Sequence, residues 1–345
     1  MAKITRRDFL KLGGLSLGSL AFTPALRDSL GFDDGNLIRV ATNSVSVHSQ
    51  PNDESRIVST WYRDELVHVY GEVVSDTPSY NRVWYRVWGG YMHRARLQKV
   101  KMLFNPTLPV LEEGIPRLAE MTVPYTQPWR HTKTYGWQQL GFRLYYGSVH
   151  WIEAIEEGPT GEPWYRIYDD LTGFPYHVNP LHLKPIPLDE LAPISPEVEL
   201  QNKRIDVNLR TQTLTAYEFD KPLLETLISS GLPNGPRTNG LSTKTPEGDF
   251  RILDKMPAKH MGNGNLFADL DDYELPGVPW TSFFTLQGHA FHGTYWHDNF
   301  GVPMSRGCIN MRTDEAKWLF RWALPPHQLG ESYNRGFGTL VQIHY

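Results

Sequence analysis

A single cysteine, Cys308, is all the thiol that this chain of 345 residues carries. With no second thiol, an internal disulfide is excluded. The basic residues form no long run, and 34 Lys and Arg stand against 38 Asp and Glu for a net charge of −4, which argues against nucleic acid as a partner. Charged, leucine-rich heptads are missing, so no long coiled helix is expected. The apolar runs are too short and too glycine-rich to read as a membrane span. What the chain has in quantity is glycine (29), proline (26) and aromatic residues (12%), beside 40% apolar and 21% charged residues. That balance describes a folded, mainly β protein of short strands and turns, long enough for two or three domains.

Residues 1–30 stand apart. Thr5-Arg6-Arg7-Asp8-Phe9-Leu10-Lys11 precedes an uncharged stretch, Leu12 to Leu26, interrupted by Gly13, Gly14, Ser16, Gly18 and Ser19. Glycine and serine at this density weaken a soluble helix and suit the apolar region of an export signal. The segment resembles a twin-arginine signal, with its paired arginines, the aromatic two places on and the lysine. The resemblance implies export and work in the cell envelope, periplasm or wall, with a membrane tether if the signal stays uncleaved. In such a compartment a second cysteine would invite a disulfide; a thiol kept alone there points to reactivity.

The first half contains a weak internal repeat. Trp84-Tyr85-Arg86-Val87-Trp88 and Gly90-Tyr91-Met92-His93 are echoed by Trp164-Tyr165-Arg166-Ile167-Tyr168 and Phe174-Pro175-Tyr176-His177-Val178. Leu66-Val67-His68-Val69 is matched by Ser148-Val149-His150-Trp151, and the copies close on Ala95-Arg96-Leu97 and Leu181-His182-Leu183. Alternating short strands of this kind predict two small β-barrels over 36–101 and 118–187, whose Trp and Tyr residues fill the barrel cores in preference to a ligand groove. They resemble bacterial SH3-like modules, which implies contact with the cell wall or packing on a catalytic partner. Met102 to Glu120 and Leu188 to Glu197 read as linkers.

From Val198 to Tyr345 the pattern is again β. Ile205 to Leu209, a turn, and Thr213 to Tyr217 predict a hairpin. Leu227 to Gly231 reads as a further strand, and Thr245-Pro246-Glu247-Gly248-Asp249-Phe250 as a turn entering another. Asp314 to Trp322 is the one helix, capped by Thr313, with Ala316, Leu319 and Phe320 on one side. Lys259 to Phe267, with His260, reads as an exposed loop, and Asp269 to Trp280 as either a lid or a plain surface loop.

Cys308 lies in Ser305-Arg306-Gly307-Cys308-Ile309-Asn310, downstream of Phe291-His292-Gly293-Thr294. A free cysteine is most often a buried small hydrophobe, but Arg306 and Asn310 are poor company for one, and a neighbouring cation lowers a thiol pKa. A thiol that attacks carbonyls needs a base and donors for the oxyanion. His292 is the candidate base, because imidazole titrates near neutrality. Gly307 permits close backbone approach and positive φ, so the amides of Gly307 and Cys308 are candidates for an oxyanion hole. Gly293 leaves room for substrate; Arg306 holds the thiolate or binds a substrate carboxylate. Thr294, Ser305 and Asn310 complete the candidate substrate contacts. His289, His292 and His297 lack the spacing of a helical ligand pair, so no metal is expected, and no cofactor.

The paired motif is similar to the signature of the YkuD-type L,D-transpeptidases, H-G-T followed by S-H/R-G-C and an Asn two places on; the Thr245 to Phe250 turn and the early hairpin match as well. The resemblance covers about 198–345. It implies a β-sandwich catalytic domain, Cys308 as the acyl-accepting nucleophile, His292 as its base, and the stem peptides of peptidoglycan as substrate. Many relatives carry His where this chain has Arg306, and a permanent cation cannot shuttle protons. An L,D-carboxypeptidase or other thiol hydrolase on the same scaffold stays open at this point, as does a wall-binding protein acting through its SH3-like modules; the intact His292, Gly307 and Cys308 argue against the last. The sequence leaves the oligomeric state open.

Overall fold

A computed structural model describes residues 34–111, 117–235, 242–262, 264, 274–328 and 331–345. The export signal read in residues 1–30 lies outside the described residues. Among the described residues no helix is long and apolar enough to cross a membrane.

The two N-terminal modules follow one strand plan. The first contains β1 (Leu37–Val40), β2 (Ser44–His48), β3 (Ile57–Tyr62), β4 (Leu66–His68), β5 (Gly71–Val74), β6 (Val83–Val87), β7 (Gly90–His93) and β8 (Leu97–Val100). They form a three-stranded sheet, β4-β1-β8, and a five-stranded one, β3-β2-β7-β6-β5. The second module contains β9 (Arg117–Met121), β10 (Tyr125–Thr126), β11 (Trp129–Thr132), β12 (Gly136–Gln139), β13 (Leu144–Tyr145), β14 (Val149–Glu157), β15 (Pro163–Tyr168), β16 (Pro175–Val178) and β17 (Leu183–Pro185). Apart from the β10-β13 pair, they make one seven-stranded sheet in the order β12-β11-β16-β15-β14-β9-β17.

The repeated sequences thus become corresponding hairpins, β6-β7 and β15-β16. Strand β14 pairs β9 through its first half and β15 through its second, with a bulge between Ile152 and Ala154. In the first module the same span is broken at Val69 and Tyr70, so β4 takes β1 and β5 takes β6. The anticipated barrels are corrected here: among the described strands no sheet closes on itself. Closure needs the outermost strands to pair, but β3 is exposed at every position except Trp61, and β12 ends on exposed Gln138 and Gln139. The aromatic residues of the repeat do fill cores, with Tyr85, Tyr165 and Tyr176 buried. The two linkers are not free either. Met102, Phe104, Leu108 and Leu111 pack on the second module's core, and Leu188, Leu191 and Ile194 on the C-terminal one, because apolar side chains leave water wherever a core is within reach.

The C-terminal domain is a sandwich. One sheet, in the order β20-β19-β18-β27-β21, contains β18 (Lys203–Asn208), β19 (Thr213–Glu218), β20 (Lys221–Leu227), β21 (Gly248–Arg251) and β27 (Leu340–His344). The other, β25-β24-β23-β22-β26, contains β22 (Asp254–Met261), β23 (Leu275–Phe283), β24 (Ala290–Gly293), β25 (Ile309–Met311) and β26 (Asn334–Arg335). Alternation in β18, with Ile205 and Val207 buried, sends one face inward against Phe291, Ile309 and Met311 of the opposite sheet. The expected hairpin is β18-β19, turned at Gln212, whose φ is 54°. The strand expected over Leu227 to Gly231 is corrected: β20 ends at Leu227, and Ser229 and Gly231 make only single bridges, to Asn310 and Ser305.

Helix α1 (Thr313–Trp322) packs Ala316, Leu319 and Phe320 into the same core. Its cap is a correction: Arg312 occupies the cap position without a side-chain capping bond, and Thr313 lies inside the first turn, where its hydroxyl donates to the Thr294 carbonyl. The other end is held by buried lysines. Lys203 Nζ donates to the carbonyls of Ile194 (3.1 Å), Ser195 (2.7 Å) and Trp322 (2.9 Å), and Lys255 Nζ to Ala323 (2.7 Å) and Pro325 (2.9 Å). Cations there answer the negative end of the helix dipole and its orphan carbonyls. Lys203→Met leaves the Ile194 and Trp322 carbonyls without a donor and takes the cation from the Glu218 carboxylate, which keeps only the Trp322 indole N–H, so it should lower unfolding stability by about 3 kcal/mol. Urea melts of the two proteins check this; an unchanged midpoint contradicts it.

Candidate active site

The site is assembled by one strand pairing. β24 and β25 run parallel, with Phe291 opposite Ile309, His292 opposite Asn310, and Gly293 opposite Met311. Paired residues of a sheet share a face, and successive ones alternate. Phe291 and Ile309 turn into the sandwich core, which sends His292 and Asn310 to the other face. Cys308 precedes Asn310 by two residues, a rise of about 7 Å along the strand. On the far side, Ser229 bridges Asn310 and Gly231 bridges Ser305.

His292 is fully buried, and its Nδ1 lies 3.0 Å from the Gly293 carbonyl. A carbonyl can only accept, so the proton sits on Nδ1 and Nε2 carries the lone pair. That Nε2 is buried and has no hydrogen-bond partner. Burial brings the ring's pKa down to about 4, against a smaller upward pull from the Gly293 carbonyl. Cys308 Sγ lies 3.6 Å from the Gly288 carbonyl. Burial pushes its thiol up to about 11, opposed by the Ala290 backbone. At neutral pH the pair therefore rests as thiol and neutral imidazole, with a proton to give and a lone pair to receive it. The expectation that Arg306 lowers the thiol pKa is corrected: the Arg306 side chain is exposed, and burial, not a neighbouring cation, sets the thiol's acidity.

The turn before Cys308 is fixed from three sides. Gly307 has φ +121°, and a Cβ there would lie 2.9 Å from His289 Cδ2, so both conformation and space require glycine. Thr245 is buried; its hydroxyl accepts from the Gly231 amide and donates to the Gly307 carbonyl, each at 2.8 Å. Ser305 Oγ donates to the Cys308 carbonyl at 2.5 Å and accepts the Gly307 amide at 3.1 Å. The Gly307 amide, expected to face an oxyanion, is thus engaged by Ser305 in the resting site. Ser305 belongs to the turn rather than to a substrate surface. His289, considered from the sequence only as a metal ligand, joins Ser242, Lys244, Thr245, Pro246 and Glu247 in lining a cavity of about 340 Å³ beside this turn.

Other expectations are revised. The room foreseen beside Gly293 is filled, since a Cβ there would meet Pro279 Cγ at 2.9 Å and Thr313 Cα at 3.0 Å. Thr294 is buried and donates to the His297 carbonyl at 3.2 Å, a turn contact and not a substrate contact. Asn310 is buried beside His297, with an amide atom 2.9 Å from its Nε2. His260 is not in an exposed loop but on β22 and buried. Its two ring nitrogens lie 2.8 Å from Asp169 and 2.8 Å from Glu274. Burial alone would lower its pKa, but the two carboxylates raise it. Asp269 to Trp280 is part strand, with β23 beginning at Leu275; residues 269–273 lie outside the described set. Among the described residues no group of three His, Cys, Asp or Glu side chains is placed to hold a metal ion.

Comparison with known proteins gives a family match for the C-terminal domain. Residues 202–343 match the YkuD family model, the L,D-transpeptidase catalytic domain. The C-terminal domain is therefore of the YkuD, L,D-transpeptidase catalytic type. An L,D-transpeptidase structure from Mycobacterium smegmatis is 22% identical over 42% of this chain and 59% of its own, with a TM-score of 0.32. One from Xylanimonas cellulosilytica is 23% identical over 41% of this chain and 60% of its own, with a TM-score of 0.31. The catalytic domain of an Enterococcus faecium L,D-transpeptidase is 26% identical over 42% of this chain and 99% of its own, with a TM-score of 0.30. The match thus spans about three-fifths of the length of the first two. No curated protein matches the chain significantly.

Two outcomes follow from this geometry. Alkylation of Cys308, the only thiol, by iodoacetamide should rise about tenfold per pH unit from pH 7 to 9.5 without levelling; a plateau below pH 8 would show a preformed thiolate. Thr245→Val leaves the Gly231 amide and the Gly307 carbonyl without their shared partner, and should cost about 2–4 kcal/mol in a denaturant melt, with slowed alkylation of Cys308 at pH 8. Unchanged stability contradicts the bridging role.

Proposed function

We propose that the protein is a peptidoglycan L,D-transpeptidase that works by acyl transfer through Cys308. The observation that carries this is the buried, unpartnered Nε2 of His292 on the face it shares with Asn310, next to the turn that holds the only thiol. In the first half-reaction, Cys308 Sγ attacks the carbonyl that precedes the terminal D-amino acid of a wall tetrapeptide stem, as its proton passes to His292 Nε2. The tetrahedral intermediate collapses when that proton is returned to the leaving nitrogen, and the D-amino acid departs with a thioester left on sulfur. In the second, an amine of another stem attacks the thioester, His292 takes its proton, and the sulfur leaves as thiolate to recover it. Dividing one amide exchange into two acyl transfers lowers each barrier.

The Cys308 amide is the oxyanion donor in this reading; the Gly307 amide joins it when Ser305 Oγ releases it. A base of low pKa suits the task, because it stays free to accept a proton across the neutral range. In this reading Arg306, exposed beside the turn, would meet a substrate carboxylate. The resemblance of Thr5 to Lys11 and its apolar follow-on to an export signal supports work in the cell envelope, where this substrate lies. The N-terminal modules would hold wall material near the site, in the manner of the SH3-like modules they resemble.

Cys308→Ala should abolish cross-linked dimer formation from tetrapeptide muropeptides, read by mass spectrometry, and a carbapenem should add its full mass to the active protein but not to the variant. Cross-linking by the variant overturns the nucleophile assignment. Trimmed monomers without dimers from the unmodified enzyme would place the activity with L,D-carboxypeptidases.

A further inference from the structure

Arg39 stands where a core residue is expected. It lies between Ile38 and Val40 on β1, and all three are buried, although arginine is almost never buried without partners. Its partners come from three parts of the chain. In the first module, Nη1 donates to Asp64 Oδ1 at 2.8 Å, and Nε and Nη2 donate to Gln98 Oε1 at 3.1 and 2.8 Å. In the second, the guanidinium lies over the Tyr145 ring, 4.0 Å from its centroid. In the catalytic domain, Nη2 also donates to the Tyr295 carbonyl at 2.9 Å. Asp64 and Gln98 reach the second module as well: Asp64 accepts from Arg143, and Gln98 Nε2 donates to the Tyr146 carbonyl at 2.7 Å. A buried cation is costly to desolvate, and the acyl-transfer steps by themselves make no use of this one.

The carbonyl that Arg39 holds belongs to the residue directly after Phe291-His292-Gly293-Thr294. Tyr295 is fixed at two further points: its hydroxyl donates to the Pro276 carbonyl at 2.9 Å, and its ring stacks on Tyr145 with centroids 6.1 Å apart. A peptide group is planar, so a hold on the Tyr295 carbonyl also fixes the amide of Trp296. The Trp296 indole in turn lies against the His292 ring, with centroids 5.7 Å apart and planes inclined at 44°. The imidazole is fully buried and the indole only partly so, which makes the indole the outer of the two rings. The rest of this loop is tied to the same module. The Asp298 amide donates to the Leu97 carbonyl at 3.1 Å, the Lys99 amide to the Asp298 carboxylate, and Arg94 Nε to Asn299 Oδ1 at 3.2 Å.

We propose that Arg39 is a positioning residue for the reaction, which through the Tyr295–Trp296 peptide keeps the Trp296 indole on the His292 ring. The inference rests on the reading of His292 as the base. The indole keeps water from the ring, so the imidazolium stays disfavoured and the base stays ready for a proton at neutral pH. Arginine suits the junction because its planar fork serves Asp64, Gln98 and Tyr295 in fixed directions at once, whereas the single ammonium of lysine cannot span them.

The test is a double-mutant cycle in the full chain, read by steady-state kinetics on a tetrapeptide stem and by the 15N imidazole signals of the resting protein. Arg39→Lys should lower kcat about 10-fold with KM within about twofold, and should shift the His292 signals while those of His260 stay in place. Trp296→Ala should lower kcat by a similar factor, and Trp296→Phe should recover most of that loss. In the Trp296→Ala background, Arg39→Lys should cost less than about twofold more, since both act through one contact. Removing the indole lets water solvate the imidazolium, so the acid limb of kcat/KM should rise by about one pH unit or more. His297 on the same loop and Cys308 on the turn are kept neutral by burial, so that limb reads His292. If Arg39→Lys fails to fold, Gln98→Leu takes its place in the cycle: it removes the acceptor of Nε and Nη2 and leaves the Arg39–Asp64 pair. Losses in kcat that multiply, an unmoved acid limb in Trp296→Ala, or unshifted His292 signals in the first variant overturn the proposal. The resting signals are read without turnover, so they stand apart from the acyl-transfer reading, which fails instead if the unmodified enzyme takes no acyl group on Cys308.

Discussion

The parallel pairing of β24 with β25 is the constraint on which the rest of the site depends. Strands joined in parallel need a crossover, and here the crossover is the chain from Thr294 to Cys308, not a helix. That choice brings His292 and Asn310 onto one face, puts Phe291 and Ile309 into the sandwich core, and delivers Cys308 at the strand's entrance. Ser229 and Gly231 close the other edge, and Thr245 ties that edge to the turn through its single hydroxyl. A crossover of irregular backbone must satisfy its own polar groups. This one does so partly with groups from the first module, which ties the N-terminal half to the crossover.

The site's electrostatics follow from the same burial. His292, His297 and Cys308 are each displaced toward their neutral forms, and the motif's cation, Arg306, is exposed. No thiolate–imidazolium pair stands ready. In the proposed reaction the proton would therefore move as the sulfur attacks, from a neutral thiol to a neutral imidazole. The contrast is His260, equally buried but flanked by Asp169 of the second module and Glu274, where two carboxylates raise its pKa in spite of burial. One residue type is thus shifted in opposite directions in one protein, by the partners that the fold supplies.

Much of this was legible in the chain. The paired motif singled out His292 and Cys308, and folding brings its two halves together because they flank one crossover. The β18-β19 hairpin showed in its alternation, and the repeat around Trp84 and Trp164 became corresponding hairpins of two like-ordered modules. What stayed hidden depends on distant partners. His260 looked like a loop residue because its carboxylates are 91 and 14 positions away. Gly293 looked like space for substrate because Pro279 and Thr313, which fill that space, come from other elements. The barrels failed because closure is decided by what the edge strands meet, and the strands themselves do not record it. His297 gave no signal beyond being a histidine, since the backbone amide of Asn299 and the side chain of Asn310 that flank it are brought there by folding.

The central claim is that Cys308 carries an acyl group between two amines. Rapid quench of the full chain with a tetrapeptide stem, followed by peptide mapping under mildly acidic conditions that preserve thioesters, tests it most directly. The account predicts a stem thioester on the peptide containing Cys308, formed together with one free D-amino acid per adduct and discharged by an added acceptor amine. Release of the D-amino acid with no adduct at Cys308, or with the acyl group on another residue, would contradict it.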